Sequence, residues 1–138
     1  TSVKLPSTLT RIGSFAFENC PNLTSLEFPE GLISIGGYAF EDCKKLAEVK
    51  LPSTLQSLGG QAFGNTAMES IVLPAALTYG TNTFEDSILK EATLTEGMTK
   101  VPDNLFNLCV TLKKVVMPDS ITSIGVSSTQ SSHWRMTV

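Results

Sequence analysis

A repeat solenoid of α/β class, with a parallel sheet along one face and short helices or turns along the other, is the fold this sequence of 138 residues predicts. Two ladders of residues predict it. Hydrophobic–proline pairs recur at Leu5-Pro6, Phe28-Pro29, Leu51-Pro52, Leu73-Pro74 and Met117-Pro118. Phe17, Phe40, Phe63, Phe84 and Phe106 recur in fixed register with them. The spacings run from 21 to 23 residues, apart from one gap of 44 before Met117. Leu94-Thr95-Glu96-Gly97-Met98 fills that gap, matching Phe28-Pro29-Glu30-Gly31-Leu32 with Thr in place of Pro. Six copies result, the first and last incomplete. Self-similarity at this period marks stacked units, none of which buries its own apolar face alone.

Within each copy the pattern reads from strand to turn. Residues 23–28, 46–51, 68–73, 89–94 and 112–117 are predicted strands. In the first of them Leu26 and Phe28 alternate inward while Ser25 and Glu27 face out. The proline that follows donates no N–H and so ends the ladder. Leu32 and Ile35 turn inward again, and Gly13, Gly36, Gly59 and Gly125 mark a bend where a side chain is unwelcome. An Ala-Phe pair then belongs to a short helix or helical turn, its Phe filling the centre. The five Phe residues are expected to form one continuous buried spine.

The shared pattern is L-x-x-[LIV]-x-L-P-x-x-L-x-x-I-G-x-x-A-F-x-x-C-x-x. Its segments Ile12-Gly13-Ser14-Phe15-Ala16-Phe17-Glu18-Asn19-Cys20 and Ile35-Gly36-Gly37-Tyr38-Ala39-Phe40-Glu41-Asp42-Cys43 closely resemble the BspA-like, or Treponema pallidum-type, leucine-rich repeat. The resemblance covers residues 2 to about 125. It implies a right-handed leucine-rich-repeat superhelix. It also implies bacterial or protist cell-surface proteins, many of them linked to adhesion, and so an extracellular or cell-surface setting. The fourth and fifth copies depart from the pattern: Tyr79-Gly80 is shortened, Thr83 and Leu105 replace Ala, and Pro102 replaces Gly. Those departures predict altered local curvature within the same fold.

Composition narrows the function. Hydrophobic residues make up 41% and charged residues 17%, which is globular composition. The net charge is −3 and the ten basic residues are scattered, so no nucleic-acid footprint is visible. No apolar run reaches the length of a membrane span. The opening at Thr1, inside a patterned segment, reads as a fragment of a larger protein.

Chemistry finds little foothold. Cys20, Cys43 and Cys109 share one repeat position, and the reading favoured is a small buried side chain. Cys20 and Cys43 would be neighbours in the stack, at a separation that also permits a disulfide. No cluster of His and Cys supplies a zinc site. His133, the single histidine, lies in the atypical tail and has no plausible nucleophile beside it. No phosphate-cradling loop is present, and Glu18, Glu41, Asp42 and Glu85 read as a solvated face. The expectation is a non-enzyme without cofactor. Asn22-Leu23-Thr24 is a glycosylation sequon that carries no meaning in a bacterial protein.

Function is therefore sought on the outward positions of the strand face, the surface that solenoids offer to partners. The candidates are Lys4, Glu27, Glu48, Lys50, Val72, Glu91, Thr93, Lys114 and Val116, accompanied by Ser2, Ser25 and Ser70. Exposed Val72 and Val116 hint at a contact patch, although β-branched residues also simply suit strands. The function expected is an extracellular protein–protein or adhesion module for a protein or glycan ligand, including host extracellular proteins. The alternative is a spacer with no ligand. The near-identity of Val3-Lys4-Leu5-Pro6-Ser7-Thr8-Leu9 and Val49-Lys50-Leu51-Pro52-Ser53-Thr54-Leu55 leans toward the spacer, since it points to duplication.

Residues 1–125 are assigned to the solenoid and 126–138 to an atypical tail or cap. The tail is serine-rich and lacks the repeat's Phe. Trp134 and Met136 are expected to fold over the last repeat, with self-association through uncapped ends as the second reading.

Overall fold

The computed structural model describes residues 1–127 and the backbone of 135–137. In chain order its strands are β1 (Arg11–Ile12), β2 (Ser25–Glu27), β3 (Ser34–Ile35), β4 (Glu48–Lys50), β5 (Ser57–Leu58), β6 (Ser70–Leu73), β7 (Tyr79–Gly80), β8 (Glu91–Leu94), β9 (Lys100–Val101), β10 (Lys114–Val116), β11 (Ser123–Ile124) and β12 (Arg135–Thr137). Even- and odd-numbered strands form two parallel walls of one β-solenoid of about five turns. The even wall is the predicted strand face. Its hydrogen-bonded parts begin two residues later than the sequence implied, but the register is the expected one. Leu26 is buried between outward-facing Ser25 and Glu27, and Ile71 between Ser70 and Val72.

Each wall is interrupted once. The even wall divides into β2–β4 and β6–β8–β10–β12, and Ser2 adds a single bridge to Ser25. The odd wall divides into β1–β3–β5–β7 and β9–β11. Between the walls the proline turns close on a repeated bond: the amides of Leu9, Leu32, Leu55, Leu77 and Ile121 donate to the carbonyls of Pro6, Pro29, Pro52, Pro74 and Pro118. Proline thus ends the ladder with its missing N–H and closes the turn with its carbonyl.

The helices expected on the far side are absent among the described residues; the Ala-Phe segment is a stack of turns. The physical reason is twofold. Two residues in each of these segments adopt left-handed backbone, at Phe15 and Asn19, Tyr38 and Asp42, Gln61 and Asn65, Asn82 and Asp86, and Asn104 and Leu108. No α-helix continues through such a residue. The amides also bond forward to the next repeat. Phe17 N–H donates to Ala39 O at 2.8 Å, Phe40 N–H to Ala62 O at 2.8 Å, and Phe63 N–H to Thr83 O at 3.0 Å. The backbones therefore approach closely. A Cβ on Gly59 would lie 2.3 Å from the Gly37 nitrogen, which is why glycine is required there.

The core runs the length of the stack. Phe40, Phe63, Phe84 and Phe106 are fully buried, with stacked ring centroids 5.3, 6.1 and 6.2 Å apart in that order. Phe17 continues the spine 5.2 Å from Phe40 and is half-buried. The altered fourth copy has a specific packing solution. Gly80 pairs with Leu58 and so stands in the column held elsewhere by Ile12, Ile35 and Leu58. A Cβ on Gly80 would lie 2.5 Å from Leu105 Cδ1. Leu105, the large residue in the Ala column, occupies the space that Gly80 vacates.

Trp134 lies outside the described residues, as do the side chains of 135–137. The backbone of β12 pairs in parallel with β10, Val115 opposite Met136, so the sheet extends into the tail by one strand.

Candidate interaction face

Register brings the outward strand positions into rows. One row runs Ser25, Glu48 and then Ser70, Glu91, Lys114; the other runs Glu27, Lys50 and then Val72, Thr93, Val116. Rows of this kind arise because in-register parallel strands set equivalent residues side by side, about 4.8 Å apart. All nine sequence-predicted candidates are exposed or half-buried, and none faces the core.

The interruption between β4 and β6 divides the face into two halves of different chemistry. In the first half Lys4, Glu27, Glu48 and Lys50 line one open groove of about 950 Å³. Its floor includes Leu26 and Val49, and its far wall is the line of proline turns at Phe28-Pro29 and Leu51-Pro52. That wall is braced: Glu30 accepts from the Ser53 amide at 3.2 Å and from its hydroxyl at 2.7 Å. Lys50 lies 3.8 Å from Glu27, an exposed pair of alternating sign along the stack. Such a pair adds little stability and leaves both groups open to a partner.

In the second half the charges withdraw to one row, where Lys114 meets Glu91 at 3.4 Å. The parallel row of Val72, Thr93 and Val116 is uncharged and β-branched, and Val72 is 60% exposed. The structure thus unites Lys4, Glu27, Glu48 and Lys50 in one concavity. Val72, Glu91, Thr93, Lys114 and Val116 lie on the open sheet beyond it.

Other surface features did not show in the sequence pattern. Phe15 and Tyr38 stack on the turn side at 5.0 Å with an interplanar angle of 1°, both exposed. Their position in the repeat carries Gln61, Asn82 and Asn104 further on, so no periodic signal announced them. Ile88 and Val110 are also exposed, in adjacent copies of the residue after the Cys column. On the turn side the Glu41 carboxyl is held above its ordinary value by burial first, then by Asp42, Glu18, Asp86 and Glu85. Among the described residues no cluster of three His, Cys, Asp or Glu side chains is placed to hold a metal ion. Nor is any helix there long and apolar enough to cross a membrane.

The cysteine column is free of disulfides. Cys43 and Cys109 are fully buried; burial pushes the Cys43 thiol up and the Cys109 thiol up to about 12. Cys20, expected to be buried as well, is only partly so. Thr66 and Ser87 fill the same column by donating their hydroxyls to the carbonyls of Phe63 and Phe84 at 3.0 and 2.6 Å.

The BspA type leucine rich repeat region matches residues 10–134 in six copies. The chain belongs to this family. Among solved structures, this BspA-type chain is similar to a leucine-rich repeat protein from Bacteroides ovatus, with 34% identity over 90% of the chain and a TM-score of 0.73. It spans about a third (33%) of that protein's length. The T. pallidum leucine-rich repeat protein TpLRR shares the fold at 24% identity and a TM-score of 0.72, over 90% of this chain and 68% of that one. The pneumococcal vaccine antigen PcpA does so at 24% identity and a TM-score of 0.76, over 99% of this chain and 41% of that one. Among curated proteins none matches the chain.

Proposed function

We propose that this leucine-rich repeat chain is a non-catalytic binding module of a bacterial cell-surface protein, and that it takes an extended segment of an extracellular protein in the groove of its first half. The observation that carries this reading is the groove itself. Lys4, Glu27, Glu48 and Lys50 converge on one concavity of about 950 Å³ with an apolar floor. None of the outward positions on β2, β4, β6, β8 and β10 bears an aromatic ring for stacking on a sugar, which favours a polypeptide over a glycan on this face. Alternating charge along the groove suits a partner whose charges alternate in the opposite sense. The spacer reading draws support from the near-identical copies at residues 3–9 and 49–55, since duplication extends a solenoid without any ligand.

Binding to immobilised host extracellular proteins, compared between the parent and a Lys4→Glu, Lys50→Glu variant, tests the proposal. Saturable binding by the parent, weakened at least tenfold in the variant with unchanged circular dichroism, is the expected result. No binding to any member of the panel leaves the chain a spacer. Binding that ignores both substitutions places the site elsewhere on the solenoid.

A further inference from the structure

One stretch of the core column is open to the groove. On the even wall the inward residues Leu26, Ile71, Ala92 and Val115 are buried, as are Phe28, Leu73, Leu94 and Met117 two residues further on. Val49 and Leu51 hold the same two positions in the second copy and are only half-buried. Both have a repeat on either side, so their exposure has a local origin. It lies where no strand pairing joins β4 to β6. The two repeats are tied at either end of this stretch, where Ala67 N–H donates to Leu46 O and Thr78 N–H to Gln56 O, each at 3.0 Å. Between those ties the groove crosses the break: Val49 and Leu51 line it from one side and Ser70 of β6 from the other. Beside the opening stands Glu48, exposed at the start of β4. Its register neighbour on β2 is Ser25, and among the described residues it forms no ion pair, whereas Glu27 has Lys50.

We propose that this opening is the specificity pocket of the groove: it takes a large apolar side chain from an extended peptide whose Lys or Arg, two residues away, pairs with Glu48. The inference rests on the groove reading and adds the chemistry of the partner. Spacing sets the motif. A strand advances about 3.3 Å per residue, so the midpoint of Val49 and Leu51 lies two residues, roughly 6.6 Å, from Glu48 along β4. An extended peptide lying along β4 places its residues i and i+2 on one face at that same separation. Its apolar side chain covers Val49 and Leu51 and removes from water the core surface that the break leaves open. Its cation meets a carboxylate that no cation of this chain engages. Complementarity at that point also rejects, because an Asp or Glu placed there would face like charge. The partner segment therefore carries a cation, any residue, then an aliphatic or aromatic residue, read in one direction or the other.

The test uses the full chain and four fluorescein-labelled peptides, read by fluorescence anisotropy. Two carry the motif in opposite directions, Thr-Lys-Thr-Leu-Thr and Thr-Leu-Thr-Lys-Thr. Two are controls, Thr-Lys-Thr-Ser-Thr and Thr-Glu-Thr-Leu-Thr. One of the motif peptides should bind at least tenfold more tightly than either control, and it should shift the methyl resonances of Val49 and Leu51. Glu48→Lys, a change on an exposed residue, should reverse the charge preference and make the Glu-bearing peptide the tighter one. Ser70→Phe, with unchanged circular dichroism, should close the opening and bring the Leu- and Ser-bearing peptides within threefold of each other. Equal binding of Leu- and Ser-bearing peptides by the parent, or a preference for Lys that survives Glu48→Lys, would overturn the pocket. If such binding is still lost in the Lys4→Glu, Lys50→Glu variant, the groove reading stands and only the pocket falls. Absence of binding by all four peptides also overturns the pocket, and the panel of host proteins then judges the groove by itself.

Discussion

Exchanging the sizes of residues 80 and 105 should leave the core nearly whole, although each change alone damages it. Leu105 is fully buried and reaches the space over Gly80, where an added Cβ would sit 2.5 Å from Leu105 Cδ1. The preceding copies solve the same volume the other way, with Ile12, Ile35 and Leu58 large and Ala39, Ala62 and Thr83 small. Leu105→Ala alone opens a cavity beneath Gly80 and should cost ~2–5 kcal/mol, the usual range for a buried leucine. Gly80→Leu alone drives a branched side chain into Leu105, an overpacking worth at least ~1–3 kcal/mol. Independent sites would then lose the sum, ~3–8 kcal/mol. The double variant restores the large–small arrangement of the other repeats and should lose no more than ~2 kcal/mol, a favourable coupling within the range seen for residues in contact. Urea unfolding followed by circular dichroism measures all three. Additivity of the single effects to within about 0.5 kcal/mol would refute the claim that Leu105 fills the space Gly80 leaves.

Two further outcomes follow from the same core. Phe63→Ala removes the central ring of the spine, which stacks at 5.3 Å on Phe40 and 6.1 Å on Phe84, and should cost ~3–5 kcal/mol; a thermal midpoint close to the parent's would count against a continuous spine. Cys109 holds its proton more tightly in the folded chain, about 12 against an ordinary 9.0, because burial penalises the thiolate. Its contribution to stability is therefore intact below about 9 and is lost as the pH rises from there toward 12. Cys109→Ser places the hydroxyl that Ser87 already shows to be tolerated, and the urea midpoint of that variant should fall less over this window than the parent's. Parallel curves for the two proteins would show that the thiol is not titrating with folding.

How much of this was legible in the sequence differs from element to element, for physical reasons. The strand register was readable because side-chain direction has a period of two, and Leu26 between Ser25 and Glu27 admits only one inward face. The strand lengths were not, since apolar residues such as Leu23 and Leu46 enter the core from the turn, two residues before β2 and β4 begin. The absent helices were half visible. Asn19, Asp42, Asn65 and Asp86 recur two residues after the Phe column, and Asn and Asp tolerate the left-handed backbone they adopt there. Phe15, Tyr38, Gln61 and Leu108 adopt it as well and carry no such signature; the amides of Phe15, Tyr38 and Gln61 bond to the next repeat, at Gly37 O, Gly60 O and Asn82 O.

The outward face and the groove separate along the same line. Which residues point outward is a local property, and Lys4, Glu27, Glu48 and Lys50 could be named from alternation alone. That four of them share a concavity depends on how far the proline turns stand above the sheet and on where the even wall is interrupted. Neither is encoded in a single repeat. Gly80 makes the point most sharply: aligned by residue type it belongs to the glycine column, and only its pairing with Leu58 places it in the core column. Its compensating partner lies a full repeat further on, at Leu105. A consensus averages such a pair away, because it records what each column prefers and not which departures occur together. In a solenoid, where each repeat packs only on its neighbours, those paired departures are where the stack changes shape. They coincide here with the ends of the regular ladders. The odd wall is interrupted right after β7, at Gly80, and the even wall just before β6. The groove occupies the first, regular half of the even wall for the same reason: strict repetition at residues 3–9 and 49–55 aligns its charged rows, and the departures that follow end them.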